Sequence, residues 1–326
     1  MRPGTYLDFE KPVLELEARI RDMREFANDE NVELSKEIRL LERRLDKLTR
    51  ETFASLTRWQ RVQLARHPMR PYALDYVEKM TTGFTALHGD RAFGDDRALV
   101  AGPALLGDRP VMVVGQQKGR STKEKLLNNF GMCHPEGYRK ALRLMMLAAR
   151  AGRPIVILID TPGAFPGVEA EERGQAEAIA RNLREMALLP VPIVIAIIGE
   201  GASGGALGIG LGDRILMLEN SWYSVISPEG CAAILWKAEG AVANAPRAAE
   251  SLRLAADDLL ELGIIDRIIP EPLGGAHRDP AESAAVLKAV LLESLIDLGS
   301  QSPEDLVARR RAKFRKIGVF SEDDTF

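Results

Sequence analysis

Two cysteines in 326 residues, Cys133 and Cys231, lie far apart without any Cys-x-x-Cys, which excludes a disulfide framework and a zinc ribbon. Histidine is scarce as well. His67, His88, His134 and His277 make up the set, and none stands at metal-ligand spacing from another His, Cys or carboxylate, so no metal is expected in this chain. Long apolar runs are missing: the longest, 155–159 and 193–198, have the length of strands and fall far short of a bilayer. The opening Met1-Arg2-Pro3-Gly4-Thr5 lacks the apolar stretch of a secretory signal. No sign of charge dominates, and a net charge of −3 gives no reason to expect nucleic acid or an anionic membrane as partner. These absences describe a globular protein of a reducing compartment, expected to be cytoplasmic.

What is present is an apolar fraction of 46%, ample for a large core, and one stretch of unusual composition. Residues 193–198 read as a fully apolar strand. It runs without a break into Gly199-Glu200-Gly201-Ala202-Ser203-Gly204-Gly205, with small and apolar residues opening a helix beyond. The first amides of a helix lack intrahelical partners and sit at the positive end of its dipole, so an oxyanion held there meets donors already fixed in place. Adjacent Gly204 and Gly205 let a ligand approach the backbone where a Cβ would collide.

The spacing of apolar residues predicts an amphipathic helix over 34–56, carried by Ile38, Leu41, Leu45, Leu48 and Phe53, and another near 75–87. Strands over 98–106 and 111–114 flank Gly107-Asp108-Arg109-Pro110, the composition of a hairpin turn. A helix over 135–151, a strand over 155–159 and a helix over 171–188 then lead to the glycine turn. Beyond it come a strand pair over 214–218 and 223–226, helices over 228–237 and 248–262, and a strand over 264–269. Two helices follow residue 280, with a short, polar, loose end. Strand, loop and helix alternate repeatedly, which implies crossover units and a largely parallel sheet. The expected organisation is one α/β domain with helical arms: an N-terminal arm over 1–90, a core over 91–280 and a helical tail over 281–326.

Loops 116–120, 160–167 and 199–205 all follow the carboxyl ends of apolar strands, where ligands bind in α/β sheets, so the three are expected to line one site. The glycines could instead serve only tight strand-to-helix turns. Gly201-Ala202-Ser203-Gly204-Gly205 also matches the Gly-x-Ser-x-Gly nucleophile elbow, with Asp213 and His277 downstream in hydrolase order. His277, however, sits in a Gly-Gly-Ala-His-Arg-Asp-Pro segment that reads equally well as a polar turn. Asp160-Thr161-Pro162-Gly163 resembles a GTPase switch element, but no Gly-x-x-x-x-Gly-Lys-Ser/Thr accompanies it. It reads better as a rigid loop aiming one amide into a site, a second donor beside Gly204 and Gly205. Lys118, Arg120, Lys123 and Lys125 form a basic loop suited to a nucleotide-like ligand's phosphates or simply to solvent. Arg309-Arg310-Arg311 reads as a polar helix face.

Many of these segments carry a family resemblance. The chain resembles the alpha subunits of bacterial acetyl-CoA carboxylase carboxyltransferase nearly end to end, through Leu7-Asp8-Phe9-Glu10, Ala65-Arg66-His67-Pro68, Arg70-Pro71-Tyr72, Gly119-Arg120 with Thr122-Lys123-Glu124-Lys125, Asn129-Phe130-Gly131-Met132, residues 135–143 and 160–167, Ser227-Pro228-Glu229-Gly230-Cys231 and residues 270–278. Departures are small: Gln116 stands where some relatives have histidine, and Ala202 where glycine is common. The resemblance implies a crotonase-like superhelix of β-β-α units. It implies a zinc-ribbon beta subunit in an α2β2 heterotetramer, a biotin carboxyl carrier protein and a biotin carboxylase. The reaction it implies moves a carboxyl group from carboxybiotin on the carrier to acetyl-CoA, giving malonyl-CoA for fatty acid biosynthesis. Two oxyanions arise in such a transfer, and the expected donors are the amides of Gly204 and Gly205 with one from Gly163, Ala164 or Phe165. Lys118, Gly119, Arg120, Gly167 and Gly201 are the expected substrate- and cofactor-binding residues.

Overall fold

The computed structural model describes residues 6–29, 33–237 and 240–318; the loose end expected at the C-terminus lies largely outside them. Among the described residues eight strands form one sheet. They are β1 (Thr81–Thr82), β2 (Leu99–Leu106), β3 (Arg109–Gln116), β4 (Ile155–Thr161), β5 (Ile193–Ala202), β6 (Arg214–Leu218), β7 (Trp222–Ser224) and β8 (Arg267–Ile269). Their order is β1-β2-β3-β4-β5-β6-β8, with β7 paired to β5. The β1–β2 and β2–β3 pairs are antiparallel, and every pair from β3 onward is parallel.

The unbroken apolar runs of β4 and β5 follow from burial on both faces. Ile155, Ile157, Ile193, Ile195 and Ile197 enter the core on one side; Val156, Leu158, Val194, Ala196 and Ile198 enter the core on the other. Each of these valine, leucine and isoleucine side chains contributes about 1.5–3 kcal/mol relative to exposure. The first core includes Tyr138, Leu144 and Met145 of helix Pro135–Arg150 and Ala178 and Met186 of helix Gln175–Met186. The second includes Tyr76 and Val77 of helix Ala73–Met80 and Leu287, Leu291 and Leu295 of helix Pro280–Leu298.

Several boundaries differ from expectation. The helix expected over 75–87 ends at Met80, because Thr81 and Thr82 pair with β2 and Gly83 takes φ +64°. The helix expected over 248–262 is two, Ala241–Leu252 and Ala256–Glu261, broken where Arg253 adopts φ +47°. β6 and β7 do not pair with each other as expected. Both lie parallel to β5, β6 along its first half and β7 against Glu200, Gly201 and Ala202. Arg310, expected on a polar helix face, is buried on helix Pro303–Arg315. Its guanidinium donates to the carbonyls of Met186, Leu189 and Val191 and pairs with Asp213 at 2.8 Å, so this arginine seals the start of β5.

Helix Ser35–Ala54, close to the expected 34–56, packs against helix Lys11–Asp29. The N-terminal segment is tied to the loop after β8 by Glu10 and His277, whose Oε1 and Nε2 are 3.0 Å apart, and by Glu17 with Arg278. No helix among the described residues is long and apolar enough to cross a membrane.

Candidate functional site

β5 leads directly into helix Ser203–Leu207, and Ser203 makes the corner with φ +56°. That conformation costs an L-residue roughly 1–2 kcal/mol, and no side chain caps the helix that follows. The Gly204 carbonyl accepts from the Gly208 amide at 2.9 Å in the ordinary helical pattern, but the Ile209 amide bonds to Ala206 at 3.3 Å. The Gly205 carbonyl is therefore released to side chains, accepting from Gln116 Nε2 at 2.8 Å and from the Tyr138 hydroxyl at 3.3 Å.

The loop after β4 meets this turn through bare backbone. A Cβ on Gly205 would lie 2.2 Å from the Gly163 carbonyl carbon and 2.5 Å from the Ala164 nitrogen. Within the loop, the Gly163 N–H donates to Thr161 Oγ1 at 3.1 Å and the Phe165 N–H to the Cys133 carbonyl at 3.0 Å. This narrows the expected set of Gly163, Ala164 and Phe165 to the Ala164 amide as candidate donor. Gly204, half-buried, edges a cavity of about 430 Å³ with Leu207, Tyr223, Leu252, Leu262 and Ile264.

A buried ionic network lies beneath the two turns. Lys118 Nζ is 2.7 Å from Asp160 Oδ1 and 2.5 Å from Glu200 Oε2, while Arg66 Nε reaches Glu200 Oε1 at 2.5 Å. Asp160 Oδ1 also accepts the Glu200 amide at 3.0 Å, tying the end of β4 to β5. Burial works against the charged form of all three. Asp160 stays above the usual carboxylate range because desolvation outweighs Lys118. Glu200 overcomes burial through Lys118 and Arg66 and falls below its ordinary value, and Lys118 overcomes it through both carboxylates and rises above the usual lysine range. Lys118, Arg66 and Glu200 line a cavity of about 310 Å³ with Tyr72, Lys125, Phe130 and Pro162.

The other expected binding residues are held by the fold itself. Gly119 leaves room for the start of helix Thr122–Leu127, where a Cβ would come within 2.3 Å of Lys125 nitrogen. Arg120 donates to the Pro68 carbonyl, pairs with Asp75 at 2.5 Å and stacks on Tyr72. Gly167 precedes helix Val168–Glu172, and Gly201 is paired with Tyr223 inside the sheet. Sequence assigns no role to Tyr138, Arg66 or Glu200, and marks Gln116 only as standing where some relatives have histidine. Asp160 and Glu200 did offer a signal: carboxylates ending apolar strands require a buried cation.

The serine-hydrolase alternative does not assemble. Asp213 is committed to Arg310 and to the Ile193 amide, and His277 to Glu10. The fold does gather Glu10, His67 and His277, which no sequence spacing revealed. The rings of His67 and His277 stack with centroids 3.9 Å apart. His67 Nδ1 accepts the Met69 amide at 3.1 Å, which places the neutral ring's proton on Nε2, the atom facing Glu10. A histidine that binds a metal through Nε2 has the reverse arrangement, a bare Nε2 with Nδ1–H donated outward. The hydrogen bonding is that of a clasp that holds Glu10 against His67 and His277.

Comparison with known proteins fits this geometry. The family described as acetyl co-enzyme A carboxylase carboxyltransferase-like matches residues 6–318. The acetyl-coenzyme A carboxylase carboxyl transferase subunit alpha of Chlorobium luteolum is 57% identical over 99% of this chain and 100% of its own length. That of Halorhodospira halophila is 57% identical over 96% and 98%. Among solved structures, transcarboxylase 12S aligns with a TM-score of 0.56 at 18% identity over 70% of this chain and 41% of its own. The Pseudomonas malonate decarboxylase MdcD–MdcE heterodimer aligns with a TM-score of 0.57 at 20% identity over 74% of this chain and 95% of the matched chain. The fold is crotonase-like, as in these solved structures.

Proposed function

We propose, from the premise that this chain belongs to the family of acetyl-CoA carboxylase carboxyltransferase alpha subunits, that the turn at Gly204 and Gly205 and the loop at Ala164 form one donor site for an oxyanion of carboxyl transfer. The activity is biotin-dependent transfer of a carboxyl group to acetyl-CoA, giving malonyl-CoA, in a multi-subunit enzyme with a beta subunit. The carboxylated cofactor supplies the group to be moved.

The observation that carries the assignment of the site is the contact of Gly205 with Gly163 and Ala164, which brings two amide-bearing turns together without a side chain between them. Donors fixed in this way need no reorganisation as negative charge develops, and removing one such donor typically costs about 2.7–4 kcal/mol. The mainly apolar cavity beside Gly204, about 430 Å³ and edged by Ser203, Ser224 and Arg253, suits the fused ring of biotin. Lys118 and Arg66 hold the ends of β4 and β5 in register through Asp160 and Glu200, which keeps the two turns at constant separation.

The finer reading is an α2β2 heterotetramer in the cytoplasm whose beta subunit bears the zinc ribbon, served by a biotin carboxyl carrier protein and a biotin carboxylase. The expected division into an N-terminal arm over 1–90, a core over 91–280 and a tail over 281–326 is kept only as a coarse reading, since β1 and helices Ala73–Met80 and Pro280–Leu298 pack into the core. The test is reconstitution: the purified chain is mixed with the cognate beta subunit and assayed for carboxyl transfer between carboxybiotin and acetyl-CoA. The mixture is expected to be active and the chain alone inactive; an active chain alone, or an inactive mixture that has assembled, refutes the reading.

A further inference from the structure

We infer that Gln116 is a positioning residue for the reaction, a clamp whose single carboxamide sets the spacing between the two amide-bearing turns; the inference rests on the reading of Gly204, Gly205 and Ala164 as the donor site. Gln116 ends β3 and is fully buried. Its Nε2 donates to the Gly205 carbonyl at 2.8 Å, and its Oε1 accepts the Asp160 amide at 3.2 Å. Asp160 opens the run that continues through Gly163 and Ala164, and Gly205 closes the glycine turn. One planar group thus ties the end of β4, which leads into Gly163 and Ala164, to the glycine turn, from the neighbouring strand.

The helix supplies the reason a clamp is needed. Its hydrogen bonding changes pattern after Gly204, with Ile209 bonding to Ala206, so the helix leaves the Gly205 carbonyl to side chains. A buried carbonyl without a partner is costly, and the direction of its peptide would be set only by packing. Gln116 fixes that direction, and Tyr138 assists with a longer bond of 3.3 Å. Donors of an oxyanion site must keep their geometry closely, and a misplacement of about 1 Å can cost about 100-fold in rate. Because the clamp acts on groups that meet charge developing in the transition state, its loss should appear in kcat.

The test uses the reconstituted complex with Gln116→Leu and Gln116→His. Leucine fills similar space without hydrogen bonds. A neutral imidazole offers one N–H and one lone pair, the same two functions as the carboxamide. Gln116→Leu is expected to lower kcat about 30-fold or more with the KM for acetyl-CoA held within about threefold, while Gln116→His at mildly alkaline pH returns kcat to within about threefold of wild type. A space-filling role would give the opposite order, with leucine active and histidine impaired. Leucine as active as wild type, or histidine as impaired as leucine, overturns the clamp. If Gln116→Leu fails to fold, Gln116→His decides alone: near-wild-type kcat supports the clamp and a 30-fold loss overturns it. A wild-type complex that transfers no carboxyl group sinks the reading of the site itself, whereas an active wild type indifferent to Gln116→Leu sinks only the clamp.

Discussion

Gly205 packs with its Cα directly on the peptide that joins Gly163 to Ala164, where an added Cβ would stand 2.6 Å from the Gly163 oxygen. Both partners are backbone and cannot swing aside, so Gly205→Ala must push the two turns apart. Overpacking of this kind costs about 1–3 kcal/mol, and the displacement should lower malonyl-CoA formation by about 100-fold or more. Gly205→Val should abolish it. At Gly204 the added Cβ would meet only Ile179 Cδ1 at 3.4 Å, a side-chain tip. Gly204→Ala should therefore fold with stability within about 1 kcal/mol of wild type. Urea denaturation and activity of the reconstituted complex compare the two; equal tolerance at both positions would separate the turns from the chemistry.

Ser203 sits at the corner with φ +56° and is exposed, the placement a nucleophilic serine would need. Asp213 and His277 are committed elsewhere, so neither serves as its base. Ser203→Ala should leave most carboxyl transfer intact. Ser203→Gly should stabilise the chain by about 1 kcal/mol, since glycine adopts this conformation without strain. Loss of activity in Ser203→Ala, together with labelling of wild type by a serine-directed acylating probe, would restore the hydrolase reading.

How far the sequence foretold this site depends on the kind of interaction. The runs of β4 and β5 were legible because strands buried on both faces must be apolar throughout, and the loops after them because glycine and proline punctuate the chain. Strand partners were less so: β6 and β7 follow one another in sequence, yet both lie against β5, a long-range pairing that local sequence does not encode. The clamp was illegible. Gln116 donates to a carbonyl whose availability depends on where a five-residue helix changes its bonding pattern. Arg310, hidden in a run of three arginines, gives no sign in sequence that one of them is buried.

Lys118 is the cation on which two buried carboxylates depend, at 2.7 Å from Asp160 and 2.5 Å from Glu200. Lys118→Met should destabilise the chain by about 3–5 kcal/mol, because it leaves negative charge in the interior with only Arg66 to balance it. Adding Asp160→Asn removes one of the stranded charges and should recover part of that loss. Denaturant titration of both variants checks the coupling; a double variant less stable than Lys118→Met would show that Asp160 is held mainly by something other than Lys118.

Asp90 ties the loop before β2 to helix Pro135–Arg150. Its Oδ1 accepts the amides of Ala92, Phe93 and Gly94 at 2.9, 2.8 and 3.0 Å, and its Oδ2 accepts Arg139 Nε at 2.7 Å. Burial opposes ionisation, but these donors outweigh it and bring the carboxyl from an ordinary 3.8 to about 2. A carboxyl held below its unfolded value stabilises the fold above the unfolded pKa and loses that contribution as pH falls through the folded one, so Asp90 contributes roughly 2 kcal/mol at neutral pH that disappears between about pH 4 and pH 2. Asp90→Asn should be less stable than wild type by about that amount at pH 7, with the gap narrowing as the pH approaches about 2. Arg139 keeps Glu136 and the Arg173 carbonyl as partners, so the helix carrying Tyr138 should stay in place and kcat should change by less than about twofold. Urea unfolding at both ends of that range measures the gap. A difference that stays constant with pH would mean that the aspartate acts through the shape of its loop and not through its charge.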